Sequence, residues 1–182
     1  MKPFPILSAI ALTAVLAAPA QAADPLSYDD PGMHFKAPAG FERVDLGAPS
    51  QDADESDTSR PAAVFVSNRG RRDQRSIVIE VHPGSDSLDA FEANAEQDLR
   101  KGNDSARVDK KEKTALANGM PAYFLRVSSG DGLEAIWRYE YVVVDGTRDI
   151  DVTYTAHQGE VDAQAAKDAL ASLYVVVYPH NR

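Results

Sequence analysis

Two runs of alternating apolar residues around Asp145-Gly146 constrain this chain more than any other feature. Trp137, Tyr139 and Tyr141 recur at every second position before the dipeptide, and Ile150, Val152 and Tyr154 after it. A period of two sends successive side chains to opposite faces, so each run reads as a strand with one apolar face. Asp-Gly between such runs signals a hairpin, because glycine adopts the positive φ that a tight turn needs. Read as a two-residue loop, the dipeptide sets Val144 opposite Thr147. Tyr141 then pairs with Ile150, Tyr139 with Val152 and Trp137 with Tyr154, all apolar and all on one face. The same register puts Glu140 opposite Asp151 on the outer face, with Asp149 nearby and Arg138 diagonally close. Like charges across a strand pair cost stability. That face is therefore either plainly solvated or a surface for a cation or a basic partner.

The strands before this hairpin extend the same sheet. Val108 to Ala117 is polar and carries Lys110, Lys111 and Lys113, which suits a sheet edge guarded against stray pairing. Asn118-Gly119 reads as a second two-residue hairpin turn, followed by Pro121 to Ser128 with Tyr123, Leu125 and Val127 facing one way. A simple four-residue loop at Ser129 to Gly132 would set Leu125 opposite Ile136 and Val127 opposite Glu134. That opposes an apolar face to a polar one, so an odd-length loop or a glycine bulge is expected before the strand Leu133 to Val144.

Earlier, Met33-His34-Phe35 reads as a short extended piece, Pro38 to Phe41 as a turn, and Ala48 to Arg60 as a mobile acidic loop. Ala62 to Val66 and Ser76 to His82 read as strands flanking the polar turn Asn68 to Gln74. Pro83-Gly84 ends the second of them. Asp86 or Ser87 then caps a helix from about Leu88 to Lys101, with the stripe Leu88, Phe91, Ala95 and Leu99, and Gly102 as its stop. A second helix spans about Glu160 to Ser172, with Val161, Ala165, Ala169 and Leu173 toward the sheet. Tyr174 to Tyr178 either extends it or forms a last strand. The fold class is α+β: an antiparallel meander with helices packed on it.

The ends place this domain. Lys2, an apolar stretch from Pro5 to about Ala18, and Ala20-Gln21-Ala22 form the three parts of a secretory signal peptide, cleaved between Ala22 and Ala23. Residues 1–22 are then the leader and 23–182 one domain, free of any membrane anchor and periplasmic or secreted. The chain has no cysteine, so neither a disulfide nor a lipid attached at a processing cysteine is available. Its net charge of −9 argues against a nucleic-acid surface.

Pro38-Ala39-Gly40-Phe41, the helix Leu88 to Leu99, and above all Lys113 to Tyr123 carry a family resemblance. The last contains Thr114, Leu116, Gly119, Pro121 and Ala122 in a Thr-x-Leu-x-x-Gly-x-Pro-Ala pattern. It resembles the PsbP-like superfamily, which takes in photosystem subunits, Ran-binding Mog-type proteins and bacterial envelope proteins. The resemblance covers nearly all of 23–182. It implies an α/β/α sandwich around an antiparallel sheet and a protein that acts by binding other proteins. It implies no shared catalytic set.

Few residues offer chemistry. The histidines are His34, His82, His157 and His180, none with a second ligand at zinc-like spacing. His82 and His157 each fall near a strand end, and a weak metal site follows only if they meet beside a carboxylate. Asp52 to Asp57 begins like a calcium loop, but Asp57 stands where glycine is required and Ala63 where glutamate is required. No nucleophile elbow, Ser-x-x-Lys motif or phosphate loop is present, and Gly130-Asp131-Gly132 lacks the lysine. Asn103-Asp104-Ser105 is a glycosylation sequon. Arg69, Arg71, Arg72 and Arg75 form the one basic cluster, at a hairpin tip that can dock a phosphate or an acidic protein.

The expected function is a non-catalytic exported domain, without cofactor, that binds another envelope protein through those arginines. A carrier with a small apolar ligand against Trp137, Tyr139 or Tyr141 is the alternative. A hydrolase with a dispersed site is a third reading.

Overall fold

The computed structural model describes residues 24, 26–47, 60–84, 87–102, 105–130, 135–157 and 163–176. In chain order these form β1 (Ser27–Asp30), β2 (Met33–Lys36), β3 (Glu42–Arg43), β4 (Ala63–Ser67), β5 (Arg75–Pro83) and α1 (Leu88–Gly102). There follow β6 (Arg107–Ala115), β7 (Pro121–Ser129), β8 (Ile136–Val144), β9 (Arg148–His157), α2 (Ala163–Leu170) and β10 (Tyr174–Val175). Residues 1–22, expected as a leader, residues 48–59 and Asn103-Asp104 lie outside the described residues.

A seven-stranded sheet runs β3-β4-β5-β9-β8-β7-β6, every neighbour antiparallel. A three-stranded sheet runs β1-β2-β10, which settles Tyr174 to Val175 as strand. The lysine-rich β6 is the edge, as its charge predicts. On one face of the larger sheet, Ile77, Ile79, Tyr139, Ile150, Val152 and Tyr154 pack against Met33 and Phe35 of the small sheet and Ala166, Leu170 and Leu173 at α2. On the other, α1 lays Ala95, Leu88 and Phe91 over Tyr123, Leu125, Val127 and Val142. Phe91 meets Tyr123 edge-on, with centroids 5.7 Å apart. The layers are helix, sheet, then helix with small sheet.

The N-terminal signal for α1 holds. Ser87 Oγ accepts from Ala90 N at 3.1 Å, the cap its hydroxyl suits. In α2 the buried stripe is Ala166, Ala169, Leu170 and Leu173 instead, and Ala165 is exposed. The true spacing of three, four and seven follows one helix face. Val161 lies outside the described residues.

The β8–β9 register differs from expectation by two residues. Tyr141 faces Val152, Tyr139 faces Tyr154, and Trp137 faces Ala156. The loop is Gly146-Thr147, with Gly146 at φ +92° in the first central position of a type II′ turn. Asp145 sits before the turn and closes it. Its backbone N donates to Arg148 O, and its Oδ1 accepts from Thr147 N at 3.0 Å and Arg148 N at 2.8 Å. A slip of one would turn Tyr139, Val152 and Tyr154 outward, forfeiting on the order of 2 kcal/mol each. A slip of two keeps every residue on its face. Turn chemistry, not burial, therefore decides between the two registers.

Asn118-Gly119 is corrected in the same way. Gly119 N donates to Leu116 O, Leu116 N donates to Met120 O, and Gly119 has φ +84°. The loop is the three residues Ala117 to Gly119, a type I turn with a glycine bulge. The match expected from an odd-length loop or a glycine bulge after β7 is not seen in the ladder either, because Ser129 pairs with Ile136. Leu125 does oppose Glu140, and Val127 opposes Arg138. The mismatch is tolerated because β7 is buried on both faces: Tyr123, Leu125 and Val127 lie under α1, and Ala122 and Phe124 join the main core.

Candidate functional site: an arginine tip and a carboxylate–histidine cluster

The tip between β4 and β5 is fixed by its own side chains. Asn68 adopts φ 53° and donates from Nδ2 to Asp73 Oδ2 at 2.8 Å. Gly70 N donates to Gln74 Oε1 at 2.9 Å, and Arg71 N to Asn68 O at 2.9 Å. Asparagine tolerates the left-handed conformation and supplies its own turn hydrogen bonds, so the loop needs no outside support. Arg69, Arg71 and Arg72 are exposed on it. Among the described residues, none of the three forms an ion pair. Arg75, already in β5, is hydrogen-bonded to the Tyr154 hydroxyl. Arg75, also exposed, stands at the base of the tip beside them.

The second feature lies on the α1 side of the larger sheet. Directly opposed residues of antiparallel strands share a face. One row across β7, β8, β9 and β5 reads Tyr123, Val142, Asp151, Glu80, and the next toward the turn reads Val144, Asp149, His82. The two-residue shift places Glu140 one row away, opposite Thr153, and not opposite Asp151 as the expected register had implied. The direct like-charge pair is Glu80 with Asp151. His82 Nε2 stands 4.0 Å from Asp151 Oδ2. One ligand atom each from Glu80, His82 and Asp151 lies within 4.8 Å of the others.

Electrostatics follow from this crowding. Burial, then Glu140, Glu80 and Asp149, push the Asp151 carboxyl up to about 8. Burial also raises Glu140; Arg138 partly offsets this and Glu80 adds to it. Asp151 Oδ1 has no solvent contact and no hydrogen-bond partner among the described residues. Asp149 packs over Gly84, where a Cβ would stand 2.3 Å from its Cγ. Chemically, such a cluster can keep a proton near neutrality or hold a cation.

His82 and His157 do not meet. They lie at opposite ends of the β9 ladder, His82 beside Asp149 and His157 beside Ile136. His34 Nδ1 instead contacts Asp29 Oδ1 at 2.5 Å in the small sheet. Ala63 is buried in β4, and Asp52 to Asp57, Asp131-Gly132 and His180 lie outside the described residues. Glu80 was overlooked because nothing local announces that β5 pairs with β9, about seventy residues later in the chain. Its place on the polar face of an alternating strand was the available signal. For a carrier, Tyr139 is buried in the core, while Tyr141 lines a surface cleft of about 230 Å³ with Leu116, Leu170 and Leu173. Ligand pockets usually start near 300 Å³, so the cleft gives the carrier reading little support.

No protein-family model and no curated protein matches this sequence. Solved structures do. The solution structure of cyanobacterial PsbP from Synechocystis sp. PCC 6803 superposes with TM-score 0.54 at 19% identity, over 88% of this chain and 99% of that one. A protein of unknown function from Pseudomonas aeruginosa superposes with TM-score 0.51 at 15% identity, over 64% of this chain and 82% of its own. The Ran-binding protein Mog1p of Saccharomyces cerevisiae gives TM-score 0.47 at 14% identity, over 76% and 79%. The fold is PsbP-like, as the residues at Lys113 to Tyr123 had implied.

Proposed function

We propose that this chain is an exported, non-catalytic accessory domain of the cell envelope, and that its β4–β5 tip docks an acidic segment of a partner protein. One observation carries the reading: Arg69, Arg71 and Arg72 stand exposed and free of ion pairs among the described residues, on a turn pinned by its own hydrogen bonds, in a chain of net charge −9. A surplus of acid elsewhere would normally recruit these guanidiniums internally. Left free and pre-organised, they match a carboxylate-rich surface through paired N–H donors. The signal-peptide pattern of residues 1–22 supports export, and the PsbP-like fold supports an accessory role.

Crosslinking in living cells, with a C-terminal tag and mass spectrometry of the retrieved complexes, tests this. The expected result is one reproducible envelope partner, lost when Arg69, Arg71 and Arg72 become serine while the circular dichroism spectrum is unchanged. Capture that survives the triple substitution, or a co-purifying small molecule with no protein partner, overturns it.

A further inference from the structure

The free protein bears a cost at the β5–β9 ladder that a ligand would relieve. Glu80 and Asp151 oppose each other directly, with Asp149 two residues along the same face and Glu140 diagonal to Asp151. Like charges across a strand pair destabilise it, and Arg138, opposite Thr155, lies a row beyond Glu140. A second, separate observation concerns Asp151 Oδ1, which is shielded from solvent and has no hydrogen-bond donor among the described residues. A buried acceptor left without either is costly. A cation bound through that oxygen would satisfy it.

We propose that Glu80, His82 and Asp151 bind one divalent first-row transition-metal ion. Carboxylate oxygens alone would suit magnesium or calcium, but the His82 imidazole adds a borderline-soft nitrogen that favours a zinc-type ion. The three ligand atoms, already within 4.8 Å of one another, draw in to roughly 3.4 Å when they share a tetrahedral ion about 2.0–2.2 Å from each. Three protein ligands leave a fourth position open to water or a partner's side chain. Glu140 and Asp149 are close enough to add negative potential without being required as ligands. His82 keeps 31% of its side chain in solvent and Asp151 20%, so an ion can enter without unfolding the sheet. The site is separate from the arginine tip and does not depend on the docking reading.

Isothermal titration of ZnCl2 into the purified, chelator-stripped chain near neutral pH tests this, with MgCl2 as comparison. One zinc ion per chain is expected, with magnesium much weaker and a rise in Tm only when zinc is present. H82A and E80Q should each weaken zinc binding by about tenfold or more, whereas H34A should not. E80Q removes the like-charge pair, so its metal-free form should be at least as stable as the parent, and lost binding there is not lost folding. No zinc binding, or binding unchanged in H82A and E80Q, overturns the proposal; the latter marks an adventitious ion only.

Discussion

Arg148 ties the two sheets together. From β9 its Nη1 donates to Asp30 Oδ2 at 2.7 Å, and Asp30 ends β1 of the smaller sheet. Its Nη2 donates to Pro31 O at 3.0 Å and its Nε to Asp145 Oδ2 at 2.8 Å. Burial pushes the Asp145 carboxyl up, but donors from Thr147 and Arg148 together outweigh this and hold it below its usual range. Arg148→Ala leaves that carboxylate, only 5% exposed, without its counter-charge. The expected loss is about 2–4 kcal/mol in urea unfolding. Arg148→Lys should recover little, because the three donors of an ammonium share one nitrogen and cannot span the separated acceptors that Nε, Nη1 and Nη2 reach.

The pH dependence of the chelated protein should report on Asp151. Its folded pKa is raised from 3.8 to about 8. The neutral form is therefore favoured on folding. That contribution is fully present below about 3.8 and is lost as pH rises through about 8. The groups facing it are Glu80 and His82 from β5, Glu140 and Arg138 from β8, and Asp149 on its own strand. At about 1.4 kcal/mol per unit the ceiling is about 6 kcal/mol. With 20% of the side chain in water, screening reduces it, and Asp151→Asn should gain about 2 kcal/mol above pH 8. Denaturant midpoints of parent and variant should converge in acid and diverge in alkali. Parallel curves would contradict it.

What the sequence made legible was whatever short-range chemistry dictates. Ser87 as a cap, Pro83 ending β5, the charged edge β6 and the aromatic face of β8 all depend on neighbours within one turn or one strand. The face of each hairpin strand was readable because period two survives a slip of two. The register was not, because Asp145 and Asn118 both precede or share turns in ways that a dipeptide cannot specify. β7 misled for another reason: buried on both faces, it has no polar side to set against its neighbour. The carboxylate–histidine cluster was half visible. Asp149, Asp151 and Glu140 come from one hairpin, but Glu80 and His82 arrive through a pairing that only the completed sheet creates.

Gly84 offers a test of how tightly that cluster is packed. A Cβ there would fall 2.3–2.4 Å from the Asp149 carboxyl atoms, and the obstacle is a side chain, not backbone. Its φ is not positive, so alanine suits the main chain. Gly84→Ala should therefore cost about 1 kcal/mol by displacing Asp149, and should cost nothing when Asp149 is already alanine. A double-mutant cycle by chemical denaturation measures this coupling directly. Additive effects would mean that Gly84 matters for another reason.

The two turn glycines should respond differently to one substitution, which checks the corrected hairpins. Both Gly119 and Gly146 have positive φ, and a Cβ at either meets nothing within 4 Å, so strain alone is at issue. Gly119 closes a type I turn from the left-handed helical region, which asparagine tolerates. Gly146 opens a type II′ turn, whose first central position lies where only glycine is comfortable. Gly119→Asn should cost about 0.5 kcal/mol and Gly146→Asn about 1–3 kcal/mol by thermal or urea unfolding. If Asp145-Gly146 formed the loop with both residues left-handed, asparagine at 146 would be mild as well. Equal, small losses at the two positions would therefore restore the register in which Val144 faces Thr147.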